Sequence, residues 1–257
     1  MLTTEDLTIR FGGHAAVDGV SCAFQPGTLT SIVGPNGAGK TTYFNLISGQ
    51  LPATSGTVKL NGVDITSYGA PRRSRMGLGR AFQLTNLFPN LTALENVRLA
   101  VQVKSGKAFD LFSRAFTHRE LIDRAMAHLA AVSLADRSQA VAATLPHGDQ
   151  RKLEVAILLA LEPDIFMFDE PTAGMSIDEV PTVLDIIAAI KARGDKTILL
   201  VEHKMDVVRS LADRIVVLHN GRLVADGEPA SVISSPVVQE AYLGVAAKAA
   251  PTGAPHG

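Results

Sequence analysis

Apolar residues fall into two kinds of pattern along the chain. Towards both ends they come as short runs closed by turn-forming residues, and in the middle they recur at helical spacing. L-T-I-R-F at 7–11 and V-D-G-V-S-C-A-F at 17–24 are separated by a Gly-Gly turn, and T-L-T-S-I-V at 28–33 runs into a glycine-rich turn. Such runs, bounded by glycine, predict strands. The last is followed by a pattern that predicts a helix ending near Gly49. T-V-K-L-N-G at 57–62 adds a strand with an Asn-Gly turn signal. I-F-M-F at 165–168, T-I-L-L-V at 197–201 and I-V-V-L at 215–218 are unbroken apolar runs, and a hairpin at Asn220-Gly221 leads into R-L-V-A-D-G. Strands apolar on both faces belong inside a parallel sheet.

From about 92 to 161 the pattern turns helical, through T-A-L-E-N-V-R-L-A, R-E-L-I-D-R-A-M-A-H-L and D-Q-R-K-L-E-V-A-I-L-L-A-L. The β-then-α alternation of the first and last thirds predicts an α/β fold with a parallel sheet and crossover helices. The helical middle is then an insertion between two of its strands, and the early hairpins form a smaller antiparallel patch. No repeat of fixed period stands out. The final A-A-K-A-A-P-T-G-A-P-H-G predicts a loose tail.

Composition narrows the class. Of 257 residues, 46% are hydrophobic and 19% charged, which is globular rather than disordered. The 24 basic and 25 acidic residues leave a net charge of −1, so no bulk field draws the chain to nucleic acid or membrane. M-L-T-T-E-D-L lacks the features of a secretory signal, and the central apolar run Val155 to Leu161 falls far short of the roughly 18 residues of a membrane span. The single cysteine, Cys22, excludes an internal disulfide and fits a reducing compartment. The seven histidines show no metal-binding spacing. A soluble, cytoplasmic chain is expected.

Two stretches carry chemistry. G-P-N-G-A-G-K-T at 34–41 matches G-x-x-x-x-G-K-[ST] and lies between a predicted strand and a predicted helix, as a phosphate cradle requires. Its glycines, Gly34, Gly37 and Gly39, let the backbone from Pro35 to Thr42 curl so that the N–H groups of Asn36–Thr42 face one anion, and the helix adds its positive end. Lys40 would reach the β- and γ-phosphates of ATP and the Thr41 hydroxyl would ligate Mg²⁺. The second stretch, I-F-M-F-D-E-P, ends a buried strand on an acidic pair at the edge where parallel sheets bind ligands. Asp169 would hold the metal through its water shell, and Glu170 would orient or deprotonate the attacking water. For D-E-P alone a surface turn is the plain alternative.

With these residues in place, the order of motifs resembles the ATP-binding subunits of ABC (ATP-binding cassette) transporters, to about residue 244. G-P-N-G-A-G-K-T-T, A-F-Q at 81–83, L-P-H-G-D-Q, F-D-E-P-T-A-G-M and V-E-H at 201–203 carry it. The resemblance implies a P-loop NTPase core of ABC type, with an antiparallel β subdomain and an inserted helical subdomain. The expected bounds are 1–85 and 160–244 for the core, 86–159 for the helical subdomain and 245–257 for the tail. It implies that Gln83 touches Mg²⁺ and the attacking water, that His203 contacts the γ-phosphate, and that Phe11 stacks on adenine; for Phe11, packing in the strand core is the alternative.

Residues 145–149, L-P-H-G-D, stand where the family usually carries L-S-G-G-Q. There the resemblance implies that a helix start, with Pro146, His147 and Gly148 at its tip, closes over ATP held by a second ATPase subunit. That subunit would be an identical copy or a paralogue. Pro146 suits a first helical position, where its missing N–H is no loss, but it lacks the hydroxyl of the usual serine. Ser176 replaces an aspartate common in the loop after the acidic pair.

Further stretches, F-G-G-H-A-A-V-D-G-V and the G-E-P-A-S-V-I-S-S-P terminus among them, resemble the ATPases of branched-chain amino acid importers. The resemblance implies a peripheral protein on the cytoplasmic face of the inner membrane. It would serve permease subunits and, indirectly, a periplasmic or extracellular solute-binding protein. Leu84, Leu87, Phe88 and Leu91 would line a groove for a permease helix, or else pack within the helical subdomain. A soluble ABC ATPase acting on nucleic acid, ribosomes or cluster assembly is the competing class, resting on Arg72, Arg73, Arg75 and Arg80. No aromatics interleave these for base stacking, so no nucleic-acid partner is expected. A nucleotide-gated regulator is a third class, opposed by the intact Glu170 and His203.

Overall fold

The computed structural model describes residues 1–81, 87–106 and 115–243. The chain forms two compact units, one of Met1–Gly69 with the chain from Val201 onward, the other of Ala70–Leu200. It opens with strands β1 (Leu2–Phe11), β2 (His14–Phe24) and β3 (Leu29–Val33), helix α1 (Lys40–Ser48), and strands β4 (Ser55–Leu60) and β5 (Val63–Asp64). The second unit begins with α2 (Ala70–Arg75), β6 (Leu78–Ala81), α3 (Ala93–Lys104) and α4 (Ala115–Ala131). It continues with α5 (His147–Leu161), β7 (Ile165–Asp169), α6 (Val180–Ala192) and β8 (Thr197–Val201), whose last residue starts the returning segment. That segment carries α7 (Met205–Leu211), β9 (Arg214–His219), β10 (Arg222–Gly227), α8 (Pro229–Ser234) and α9 (Pro236–Leu243).

In the first unit, β2-β1-β4-β5 form an antiparallel sheet in which Leu2 faces Phe24 on one side and Leu60 on the other. β1 begins well before the apolar run at 7–11, because Thr4 points inward. Its Oγ1 lies 2.7 Å from the hydroxyl of buried Tyr43 on α1 and accepts from the N–H of Cys22. A buried hydroxyl with two partners is tolerated where an apolar residue is expected. β3 runs parallel to β9, with Ile32 opposite Val216, and β9 turns at Asn220-Gly221 into antiparallel β10. Every residue of β3 is buried, polar Thr30 and Ser31 included. Val33, Ile215 and Val217 pack with Val208, Val232 and Val238 of the later helices.

In the second unit β7 lies between β6 and β8. β6 is parallel to β7, with Arg80 opposite Met167 and Ala81 opposite Phe168. Alternate residues of a strand share a face, and the rings of Phe166 and Phe168 stack with centroids 6.1 Å apart. The helical stretch resolves into α3, α4 and α5, with α3 packed on both others. T-A-L-E starts α3 with the Thr92 side chain accepting from the Glu95 N–H, a satisfied N-cap. Buried Asn96 accepts from the Phe88 N–H and donates to its carbonyl, which pins the turn before α3 and leaves Phe88 57% exposed.

Candidate functional site

The turn between β3 and α1 is held from behind by its neighbours in the first unit. Gly34 has φ 152°, and a Cβ there would lie 2.1 Å from the Leu218 carbonyl oxygen. At Gly39, φ 97°, a Cβ would meet the Ala16 carbonyl oxygen at 2.4 Å. Only glycine permits both backbone conformation and approach. The Ala38 carbonyl accepts from Gly221 N–H, and the Gly221 carbonyl accepts from Asp18 N–H, so the β9–β10 turn backs the loop. Pro35, Asn36 and Gly37 form its outer rim, with Asn36 and Gly37 exposed, while Ala38 is buried.

Gly39 caps α1 in a left-handed conformation and, being glycine, offers no side-chain cap to the helix start. The N–H groups of a helix's first turn have no acceptor within the helix, which gives the mouth at Lys40–Thr42 its affinity for anions. Lys40 is buried and folds over the loop, its ammonium donating to the carbonyls of Gly34 at 2.7 Å and Pro35 at 3.0 Å. Thr41 and Thr42 are half-buried beside it.

Phe11 ends β1 and is 54% exposed, so the strand-core alternative is wrong and the ring is available for stacking. His203 follows β8 with an exposed side chain, and its backbone N–H donates to the buried Glu202 carboxylate at 2.7 Å. Gln83 lies outside the described residues.

In the second unit Asp169 is the last residue of β7 and its side chain is 5% exposed. Arg80 of β6, itself 7% exposed, donates to Asp169 Oδ2 at 2.8 Å. Burial draws the Arg80 guanidinium below its ordinary pKa, and Asp169 opposes this. Glu170 then takes φ 51°, the left-handed region that a non-glycine residue occupies at a cost of about 1–2 kcal/mol. Strain of this kind concentrates at working sites.

α5 begins at His147. Pro146 is its N-cap, at φ −54° and ψ 155°, one place earlier than a first helical position. Pro146 and His147 are exposed, and no side chain caps the helix. Asp149 in the first turn pairs with Arg137 and Lys152, a favourable place for a negative charge. Gly148 is buried against the Glu179 carboxylate, which a Cβ would strike at 2.2 Å. Glu179 in turn accepts from the Ser176 N–H and hydroxyl and from Lys152. These bonds hold its carboxyl below the ordinary range, the Ser176 hydroxyl most strongly. Lys152 and Glu179 escaped the sequence reading, and Arg80 entered it only as one of four clustered arginines, because that reading ranked motifs and not the partners that packing gives them.

Half of the arginine cluster is internal: Arg73 is 2% exposed and Arg80 is committed to Asp169, so only Arg72 and Arg75 remain as exposed cations of that group. Among the described residues no group of three His, Cys, Asp or Glu residues could hold a metal ion. Thr41 in the first unit and Asp169 in the second each carry a hard oxygen of the kind Mg²⁺ favours, and that ion keeps several waters instead of needing a protein cage. No helix among the described residues is long and apolar enough to cross a membrane.

The profile of the ABC transporter family matches residues 17–173. The chain belongs to this family of ATP-binding cassettes. A second profile, that of the branched-chain amino acid ATP-binding cassette transporter, matches residues 222–248 of the cassette. The cassette is 37% identical over 251 residues to the high-affinity branched-chain amino acid transport ATP-binding protein LivG of Escherichia coli, covering 96% of the cassette and 98% of LivG. Among solved structures it resembles the ADP conformation of MJ1267, an ATP-binding cassette of an ABC transporter. The TM-score is 0.79 at 30% identity, over 95% and 98% of the two chains. It also resembles the dimeric bacterial ABC transporter cassette MJ0796, with a TM-score of 0.77 at 26% identity over 89% and 99%. The fold is thus the ABC-type P-loop NTPase fold, and the cassette is an ATPase subunit of a transporter.

Proposed function

We propose that this cassette powers an importer for branched-chain amino acids or closely related small amino-acid or amide solutes. The observation that carries the reading is its nearly end-to-end match to LivG, extending through the β10–α9 stretch beyond the ATP motifs. Two cassettes, identical or paralogous, would sit on permease subunits at the cytoplasmic face of the membrane, and a solute-binding protein would deliver the solute from the other side. Residues 86–159 would form the helical subdomain, and exposed Phe88, with Leu87, Leu91 and Leu84, the last outside the described residues, would form the seat of a permease helix.

Each residue takes the part that its motif implies, supported by its surroundings where these are described. Phe11 offers its exposed ring to adenine, and the mouth of α1 receives the phosphates. Lys40 exchanges loop carbonyls for phosphate oxygens, which suits a transition state whose charge spreads over the transferred group. Bound Mg²⁺, held by Thr41, Gln83 and the water shell on Asp169, would neutralise phosphate charge. Glu170 orients and deprotonates water, His203 attends the γ-phosphate, and the α5 tip at Pro146–Gly148 closes the other subunit's site. ATP then draws the two cassettes together and hydrolysis releases them, a rigid-body switch.

Reconstitution with the permeases and binding protein in liposomes tests the importer reading. ATPase stimulated by leucine, isoleucine or valine, or by a small amide, is expected; stimulation by none of them overturns it. Glu170→Gln is expected to lower turnover roughly 100-fold or more, the scale of general-base catalysis, with ATP binding kept. Wild-type turnover in that variant would remove Glu170 from its role.

A further inference from the structure

Arg80 is a charged side chain on β6, the edge strand of its sheet, and is almost out of water. It stands opposite Met167, and Asp169 is two residues further on the same face of β7. A side chain leaning along the strand direction therefore meets the carboxylate, and the pair closes at 2.8 Å with both partners almost out of water. A buried guanidinium is retained at the expense of desolvation, so a hydrophobic replacement is commonly no less stable. Stability alone gives no reason for an arginine here.

We propose that Arg80 is the resident counter-cation of Asp169, a positioning residue that sets how much Mg²⁺ the site demands. It fixes the carboxylate through Oδ2 and keeps it charge-balanced before metal arrives. If this carboxylate serves the metal's hydration shell, as proposed above, the guanidinium opposes the incoming dication and raises the Mg²⁺ concentration at which it loads. The inference rests on the proposed role of Asp169 as a support of the metal shell.

The test is a MgCl₂ titration of the purified full-length cassette with a fluorescent ATP analogue, displaced by a non-hydrolysable one, so that binding and not turnover is read. Arg80→Gln, which keeps a hydrogen-bond donor and loses the charge, is expected to lower the Mg²⁺ needed for half-maximal binding roughly five- to tenfold, the scale of one nearby charge acting on a dication in a partly screened site. Nucleotide affinity in EDTA is expected to stay within about twofold of wild type, since the triphosphate cradle itself is untouched. Arg80→Lys retains the cation and is expected to behave as wild type; it carries the test if the glutamine variant does not fold.

An unchanged or raised Mg²⁺ requirement in Arg80→Gln overturns the proposal, as does a lowered one in Arg80→Lys. Asp169→Asn separates the two readings. A raised Mg²⁺ requirement there with none of the expected Arg80 effects defeats only the counter-cation, whereas an unmoved requirement defeats the assignment of Asp169 itself.

Discussion

Replacing Gly148 by alanine distinguishes a packing requirement from a ligand requirement at the tip of α5. The added Cβ would fall 2.2 Å from Glu179 Oε1 and 2.3 Å from Oε2. That carboxylate is the end of a flexible side chain, 26% exposed, so it can swing into solvent. Doing so breaks its bonds from the Ser176 N–H at 3.2 Å, the Ser176 hydroxyl at 2.9 Å and Lys152 at 3.4 Å. Partly exposed charged bonds of this kind are worth together about 1–2 kcal/mol after rehydration. Against this, alanine is better than glycine in a helix by roughly 0.5–1 kcal/mol.

Gly148→Ala in the wild-type chain is therefore expected to destabilise by about 0.5–1 kcal/mol, or a few degrees in Tm for a chain of this size. In a Glu179→Ala background the clash is gone and the same change should stabilise by about 0.5 kcal/mol, a reversal of sign. Urea unfolding of the four proteins in this cycle measures both steps. Equal destabilisation in both backgrounds would refute the claim that Glu179 is what glycine accommodates. ATPase activity of the assembled transporter read alongside tells whether the tip also needs its bare backbone for nucleotide.

Two further outcomes follow from buried groups. Glu154 on α5 is 5% exposed with Oε1 lacking a hydrogen-bond partner among the described residues, and burial pushes its carboxyl above the ordinary range against the pull of Arg151. The folded state thus holds this proton more tightly than the unfolded one, so stability falls as pH rises from the unfolded pKa through the raised one. Glu154→Met is expected to stabilise by about 1 kcal/mol at neutral pH, with the gain fading near pH 4 and below; a gain constant from pH 4 to 8 in thermal melts would contradict the assignment. Gly34→Ala drives a Cβ into the Leu218 backbone carbonyl, which cannot step aside, and is expected to cost about 2 kcal/mol or more. Chemical denaturation checks it, and near-native stability would show the loop to be looser than described.

Nearly unbroken apolar runs made β7, β8 and β9 readable, because a strand buried on both faces leaves few polar gaps. β6 was not readable, since L-G-R-A is too short for a pattern and Arg80 finds its partner, Asp169, 89 positions away. The glycine-rich turn after β3 could be placed from sequence, its glycines being fixed by local backbone geometry. Glu179 could not, because its contact with Lys152 joins segments 27 residues apart and no periodicity encodes it. Pro146 was misplaced by one position: an extended ψ of 155° sets it outside the helix, where an N-cap and a first helical residue look alike in sequence.

Lys40 donates to two carbonyls of its own turn. An anion that takes this lysine must therefore outcompete neutral oxygens that are held at no translational cost, which chloride or a lone phosphate does poorly. A triphosphate tethered by its base brings its oxygens at high local concentration and wins the exchange. Discrimination among the cell's many anions begins in how the loop shelters its own cation.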